Sequence, residues 1–391
     1  MRITEVSTLK LRYVMDVAMA DAVHYMPERT LLLVQVHTDA GITGIGECAA
    51  YGGSLESMEA VVLGDLRPSL VGEDPFRVER LWSKMAWRSH QRGQRGMLPM
   101  AISGVDIARW DIIGQATKTP LWRLLGGYRD TLVAYASAGF YAAGKGPSEL
   151  AEEFGGYAER GFRHGKMKVG RNPDVLLNPL QDMWASDYAL ATLEEDVERV
   201  RAVRKAVGPA FRLAVDANNA WTPAVTLEFL RRTADCDLAW MEEPVATDDV
   251  EGSAEIARAT AIPVAGYESE TGLGGFRDLI ERRAVDIVQP DAIWTGGITE
   301  CRRVAALAQA HRLPVIPHVF SSAMASIANM HFIASIPNGG LLEFDQNPNP
   351  LRSALFTEPI GIGPGGTVKL PERPGLGVEL DMATVERYRV G

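Results

Sequence analysis

Hydrophobic and polar positions alternate along the first stretch of the chain, and the period then changes. In residues 1 to about 60 the clearest run is Thr30 to His37, with LLLVQV inside it, followed by a turn at Asp39-Ala40-Gly41. This pattern predicts an antiparallel hairpin. From about 56 to 124 the apolar positions take helical spacing, most plainly in ISGVDIARWDIIGQ, and Gly126-Gly127 closes the run. The opening segment, residues 1–128, is therefore expected to be an α+β domain. From about Leu132 to Asp345 short apolar runs alternate with helix-like stretches such as LEEDVERVRAVRKAVG and ECRRVAALAQAHR. Such a βα rhythm predicts parallel strands closed into a barrel, here over 129–355.

Strand ends fall at Lys168, Asp216, Glu242, Glu268, Asp291, His318 and Glu343. From Asp216 onward the spacings are 26, 26, 23, 27 and 25 residues, about one βα unit each. The interval from Lys168 to Asp216 is 48, which leaves an insertion in RNPDVLLNPLQDMWASDYALAT, at about 171–192. It is read as a loop over the barrel mouth that moves and shapes substrate choice; Trp184 and Tyr188 either cover a ligand there or pack on the outer surface. The tail, 356–391, is rich in Gly and Pro (GIGPGGTVKLPERPGLGVELD) and is expected to return to the first domain as short strands and turns.

Composition narrows the partner. The chain has 391 residues, 46% of them hydrophobic and 23% charged, enough for a barrel and a smaller domain. A net charge of -10 argues against nucleic-acid or acidic-membrane partners, which call for clustered Lys and Arg. Cys48, Cys236 and Cys301 are too few and too scattered for a disulfide framework or thiolate metal site. Neither a signal-peptide pattern nor a membrane-length apolar run occurs, so a cytoplasmic protein with a small-molecule partner is expected.

The strand ends carry the chemistry. In a barrel the C-terminal ends of the strands converge on one mouth. A single acid at such a position is as readily a helix cap. Asp216, Glu242 and Glu268 end three successive strands, and three converging carboxylates repel unless a cation neutralises them. A hard divalent ion with oxygen ligands answers that, and Mg²⁺ is the usual choice where positions stay open to substrate. Lys166 and Lys168 share one strand face and are either a surface pair or bases whose pKa is lowered by burial and a nearby cation. His318 and Asp291 end neighbouring strands, and a carboxylate-held imidazole suits a second base.

The segments KMK (166–168), DAN (216–218), MEEP (241–244), GYE (266–268), QPD (289–291), PH (317–318) and EFD (343–345) resemble, in order, the barrel motifs of the mandelate racemase subgroup of the enolase superfamily. GIGE at 44–47 and PGLGVELD near the end extend the resemblance over nearly the whole chain. It implies an α/β fold, a modified TIM barrel (β/α)7β with an α+β capping domain completed by the tail. It implies Asp216, Glu242 and Glu268 as Mg²⁺ ligands, Lys168 as one base with Lys166 beside it, and Asp291 with His318 as the opposite base or acid. Glu343 becomes a protonated donor to the substrate carboxylate, and Asn218 lies near the bound substrate.

Tyr267, before the third ligand, and the insertion after Lys168 depart from the family pattern. HQRGQRG (90–96) and EFDQNPNPLR (343–352) look most like sugar-acid lactone cycloisomerases and dehydratases. The expected reaction removes the proton alpha to a carboxylate through an enediolate and dehydrates a sugar acid, an aldonate or aldarate, to a 2-keto-3-deoxy acid. Cycloisomerisation of a lactone and racemisation or epimerisation are the alternatives. A Schiff-base lyase through Lys168 and a non-catalytic binding barrel are rivals of other classes, and both leave the acid trio unexplained. His24 and Tyr25, read as an irregular stretch before the hairpin's second strand, and Arg29 nearby either touch substrate or form an exposed loop. A homo-oligomer is expected.

Overall fold

The structure, a computed structural model, describes residues 1–88, 90–175 and 188–391. It opens with three antiparallel strands, β1 (Ile3–Ala20), β2 (Tyr25–Thr38) and β3 (Thr43–Cys48). The turn at Asp39–Gly41 joins β2 to β3, while β1 and β2 form a longer hairpin with a register shift between Val14 and Met19. His24 lies in its connection, in the irregular stretch expected before the second strand, whereas Tyr25 already belongs to β2, as does Arg29. The unbroken LLLVQV run is explained by burial on both faces. Leu31 and Leu33 join the core shared with the barrel, whereas Leu32, Val34 and Val36 pack with the helix Met97–Ala116. That helix runs close against β3: a Cβ at Gly46 would stand 2.2 Å from the Gly104 carbonyl oxygen.

The second unit is a parallel barrel. Its strands are β4 (Thr131–Ala138), β5 (His164–Lys168), β6 (Arg212–Asp216), β7 (Met241–Glu242), β8 (Val264–Gly266), β9 (Ile287–Val288) and β10 (Leu342–Asp345). Each pairs with the next from β4 to β9, and β10 returns to pair with β4. Between β9 and β10 the path is carried by single bridges, Val288 to Val315 and Val315 to Gly339. Helices connect every step, the last being Ala323–Ser335. Two-residue strands such as β7 and β9 suffice because both faces are covered by the barrel interior and the helices.

The tail crosses both units. Its strand β11 (Thr367–Lys369) pairs antiparallel with β4. Farther along, Leu376 donates its N–H to Asp111 Oδ1 at 2.8 Å and Val390 donates to the Lys10 carbonyl at 2.9 Å. The two units also meet where Thr299 donates N–H and hydroxyl to Asp106, at 2.9 and 2.7 Å. The three cysteines are free and buried. Among the described residues no helix is long and apolar enough to cross a membrane.

Candidate active site

Strand register sets the first half of the site. Lys168, Asp216 and Glu242 lie side by side as Cα partners across β5, β6 and β7, each the last residue of its strand. Lys166 points to the same face as Lys168, and both are buried rather than a surface pair. Glu268 stands two residues past β8, Asp291 three past β9 and His318 three past the Val315 bridge, while Glu343 is inside β10. Those four are thus not strand termini. Glu268, Asp291 and His318 therefore sit on the loops that follow short strands, and Glu343 one residue into β10.

One carboxylate oxygen each from Asp216, Glu242 and Glu268 lies within 4.8 Å of the others, a set able to hold a metal ion. Glu242 Oε2 accepts from Trp240 Nε1 at 2.9 Å and Gln289 Nε2 at 3.0 Å, while its Oε1 accepts from Lys166. Lys166 Nζ also lies 3.3 Å from Asp216 Oδ2 and 2.9 Å from Glu343 Oε1. Lys168 Nζ donates to Asp216 Oδ2 at 2.5 Å and sits 5.0 Å above the Phe140 ring. Behind Glu268, Glu243 Oε1 accepts the Glu268 N–H at 2.9 Å, so the Glu-Glu pair of MEEP faces two ways.

Electrostatics follow from this crowding. Burial pushes the Glu242 carboxyl up to about 7, against the pull of Lys166. Burial also raises Asp216, but the Lys168 and Lys166 ammonium groups outweigh it and hold that acid well below the usual carboxylate range. Burial alone would lower both lysines. For Lys166 the charges of Glu242 and Glu343 reverse the sign, and for Lys168 that of Asp216 does, so both stand above ordinary lysine. The lowered lysine expected from sequence is therefore not what these carboxylates impose; it requires a cation that takes up their charge.

His318 completes the opposite side. Its Nδ1 is 2.9 Å from Asp291 Oδ2, and its Nε2 is 3.2 Å from Glu268 Oε2. Asp291 Oδ1 in turn accepts from Asn329 Nδ2 at 2.8 Å and the Ile293 N–H at 3.0 Å, which fixes the carboxylate. Burial lowers the imidazole, but Glu268 and Asp291 more than reverse this and bring it up to about 10. Glu343 accepts from the Ser137 hydroxyl at 2.6 Å and the Val319 N–H at 2.8 Å. Burial would raise it, yet Lys166 and His318 hold it down to about 2. A protonated Glu343 thus differs from what this charge arrangement favours; with Lys166 at 2.9 Å it is an ionised acceptor.

The other expected residues divide. Asn218 is buried beside the trio, its N–H bonded to Asp216 Oδ1 at 2.9 Å and its own Oδ1 without a partner among the described residues. Arg29 is buried, not in an exposed loop, with Nη2 on Asp345 Oδ2 at 3.0 Å and its guanidinium 3.8 Å over the Phe320 ring. His24 binds Asp21 Oδ2 through Nδ1 at 3.0 Å, near enough to feel the charges of Glu268 and Lys168. Tyr25 is more exposed and packs on Tyr188 with ring centres 5.1 Å apart. Tyr188 donates its hydroxyl to the Ala18 carbonyl at 2.6 Å, so the return of the insertion is tied to the β1–β2 hairpin. Trp184 and the rest of 176–187 lie outside the described residues.

Sequence reasoning missed Asp21, Tyr51, Ser137, Glu243, Trp294 and Asn329. Glu243 had a signal in the doubled acid of MEEP, and Asp21 lies only three residues before the His24 it binds; Ser137 and Asn329 act through contacts made when distant segments meet.

Comparison with known proteins agrees with this geometry. A family model described as mandelate racemase / muconate lactonizing enzyme, N-terminal domain, matches residues 4–126, and one described as enolase C-terminal domain-like matches 149–384. An arabinonate dehydratase of Saccharolobus solfataricus is 35% identical over 391 residues, with 99% of each chain covered. A D-galactarolactone cycloisomerase of Agrobacterium fabrum is 32% identical, covering 100% of this chain and 99% of its own. A solved structure described as a racemase from Streptomyces coelicolor A3(2) with bound magnesium is 33% identical with a TM-score of 0.87, covering 99% of this chain and 100% of the other. The chain belongs to the mandelate racemase and muconate lactonizing enzyme group of the enolase superfamily, and it is an enzyme.

Proposed function

We propose that this enzyme removes the proton alpha to the carboxylate of a sugar acid and then expels water from the neighbouring carbon, giving a 2-keto-3-deoxy acid. The observation that carries this reading is the order of groups across the mouth. Lys168 touches one end of the acid trio at Asp216, and His318 approaches the other end at Glu268. Bases thus flank the place where a metal-held carboxylate would lie, as a two-sided proton transfer demands. Relatives named as dehydratases, among them the arabinonate dehydratase, favour water loss. The galactarolactone cycloisomerase keeps ring opening of a lactone as the second reading, since expulsion of a ring oxygen needs the same first step.

The trio fits Mg²⁺, because three hard carboxylate oxygens converge while Lys166 and Lys168 now supply the neutralising charge. When bound, the ion would stabilise the negative charge that grows on the substrate carboxylate as the proton leaves. Lys166 Nζ is placed to donate to that same charge. Asp291 holds the His318 ring by Nδ1, leaving Nε2 to take or give the proton on one face, and Lys168 Nζ serves the other. Ser137 and the Val319 N–H fix Glu343 beside Lys166, so the amine is held between acids and kept from turning away.

The test is exchange of the substrate's alpha hydrogen in deuterated solvent across a panel of aldonates, aldarates and lactones, with Mg²⁺ and with the metal removed. Exchange dependent on the ion, with 2-keto product from open-chain acids, is the expected result. Exchange undiminished in verified metal-free enzyme would overturn the metal-assisted reading, and covalent trapping of substrate on Lys168 by borohydride would favour a Schiff base instead.

A further inference from the structure

Near His318 the capping segment and barrel bring together several hydrogen-bond donors with nothing to bind. Arg29 Nε and Nη1, the Tyr51 hydroxyl and Trp294 Nε1 are all buried and have no partner among the described residues. They come from β2, the segment after β3 and the loop after β9, yet Arg29 and Tyr51 pack on one ring, Phe320, and Trp294 packs on Tyr51. The Arg29 guanidinium lies 3.8 Å over Phe320, Tyr51 is 5.5 Å from Phe320 and 5.2 Å from Trp294, and Phe320 is 6.2 Å from His318.

We infer that Arg29, Tyr51 and Trp294 receive a second carboxylate at the far end of the substrate, so that the enzyme prefers aldarates to aldonates. This rests on the sugar-acid reading given above and names the substrate class for that same site. An indole N–H and a guanidinium can only donate. Burial, with the charges of Glu268 and Asp291 adding to it, pushes the Tyr51 phenol well above its ordinary range, so the hydroxyl keeps its proton and donates as well. A terminal hydroxyl of an aldonate accepts at most two such bonds and must itself find an acceptor. A carboxylate offers about four acceptor sites and needs none.

Asp345 does not fill this role. Its Oδ2 holds Arg29 Nη2, and its Oδ1 accepts from the Asn347 N–H and Nδ2, at 3.0 and 2.6 Å. The pair therefore anchors the guanidinium while leaving its other N–H groups free. Buried donors without partners destabilise a fold, and their concentration beside the reactive histidine is explained if substrate satisfies them.

The experiment compares a six-carbon aldarate with the aldonate that differs from it only at carbon six, in the Mg²⁺-loaded enzyme and in Tyr51→Phe and Trp294→Phe variants. These are chosen over Arg29 variants because loss of the buried Arg29–Asp345 pair threatens folding. The wild type is expected to favour the aldarate in kcat/KM, and each variant to lower the aldarate-to-aldonate ratio by about tenfold, the loss for a hydrogen bond to a charged acceptor. Calorimetric titration of both acids into Lys168→Ala protein measures the same preference as a ratio of Kd values without turnover. A ratio near one in the wild type, or one unchanged by both substitutions, overturns the inference. If neither acid exchanges its alpha hydrogen, the sugar-acid reading fails instead, and the calorimetric ratio still decides whether these donors recognise a second carboxylate.

Discussion

His331 lies away from the reactive groups, and its substitution tests the packing that holds them. Its ring is fully buried in the helix Ala323–Ser335, between the two parts of the capping structure. Nδ1 accepts the Trp122 N–H at 2.9 Å, and Nε2 faces the Leu376 carbonyl at 2.9 Å. Both bonds require the neutral ring with its proton on Nε2, because an N–H already occupies the Nδ1 side. Burial pushes the imidazole down to about 4 from an ordinary 6.5, only partly opposed by its bond to Leu376.

A histidine lowered in this way contributes stability above its unfolded value, and that contribution is lost as pH falls from 6.5 toward 4, where only the unfolded chain gains the proton. The full loss is about 3 kcal/mol, and about 2 kcal/mol of it falls between pH 7.5 and pH 5. His331→Leu removes the titration but leaves the Trp122 N–H and Leu376 carbonyl unpaired, at about 1–3 kcal/mol each. Urea unfolding of metal-free protein at the two pH values gives four stabilities. The variant should be weaker at pH 7.5, and its disadvantage should shrink by about 2 kcal/mol at pH 5. A disadvantage that is the same at both values would show that the native ring takes up its proton as freely as the unfolded one, and the reasoning would fail.

Glu242→Gln should lose divalent-ion binding in calorimetry while keeping its far-ultraviolet circular dichroism, since Trp240, Gln289 and Lys166 still contact the residue; undiminished affinity would remove Glu242 from the metal set. Lys168→Ala and His318→Asn should each cut turnover by about 100-fold or more. For a given stereoisomer only one of them should abolish alpha-hydrogen exchange, and near-normal exchange and turnover in both would end the two-base reading. Asp291→Ala should lower kcat far more than it raises KM, because it frees the ring that Asp291 holds at 2.9 Å; an effect confined to KM would make Asp291 a substrate contact instead.

The order of chemical groups was legible because a barrel strand presents its last inward residues at the mouth, and Lys168, Asp216 and Glu242 do so in register. Reading stopped where strands are short. Glu268, Asp291 and His318 lie on loops beyond them, and periodicity carries no information about how those loops bend. It also stopped at contacts between units. Tyr51 and Phe320 are separated by more than half the chain, so nothing local ties them to one pocket. The charge state of the lysines was misread for the same reason: strand alternation puts two amines on one face but says nothing of the Glu242 and Glu343 carboxylates that meet Lys166 there.

Charge balance joins these observations. Asp216, Glu242, Glu268, Glu343 and Asp291 face Lys166, Lys168 and His318 in a buried cluster. With all of them ionised, five negative charges meet three positive ones, and the buried Glu243 behind Glu268 adds to the excess. Burial makes such an excess costly, and protons or a cation must offset it. Glu242, raised to about 7, and Glu268 and Glu243, both raised by burial, are the acids that respond in the protein alone. Glu242 and Glu268 are members of the converging trio, and Glu243 stands directly behind it. A divalent ion placed there would offset negative charge where the acids crowd most closely. The crowding of buried acids therefore supports the metal-assisted reading independently of the family resemblance.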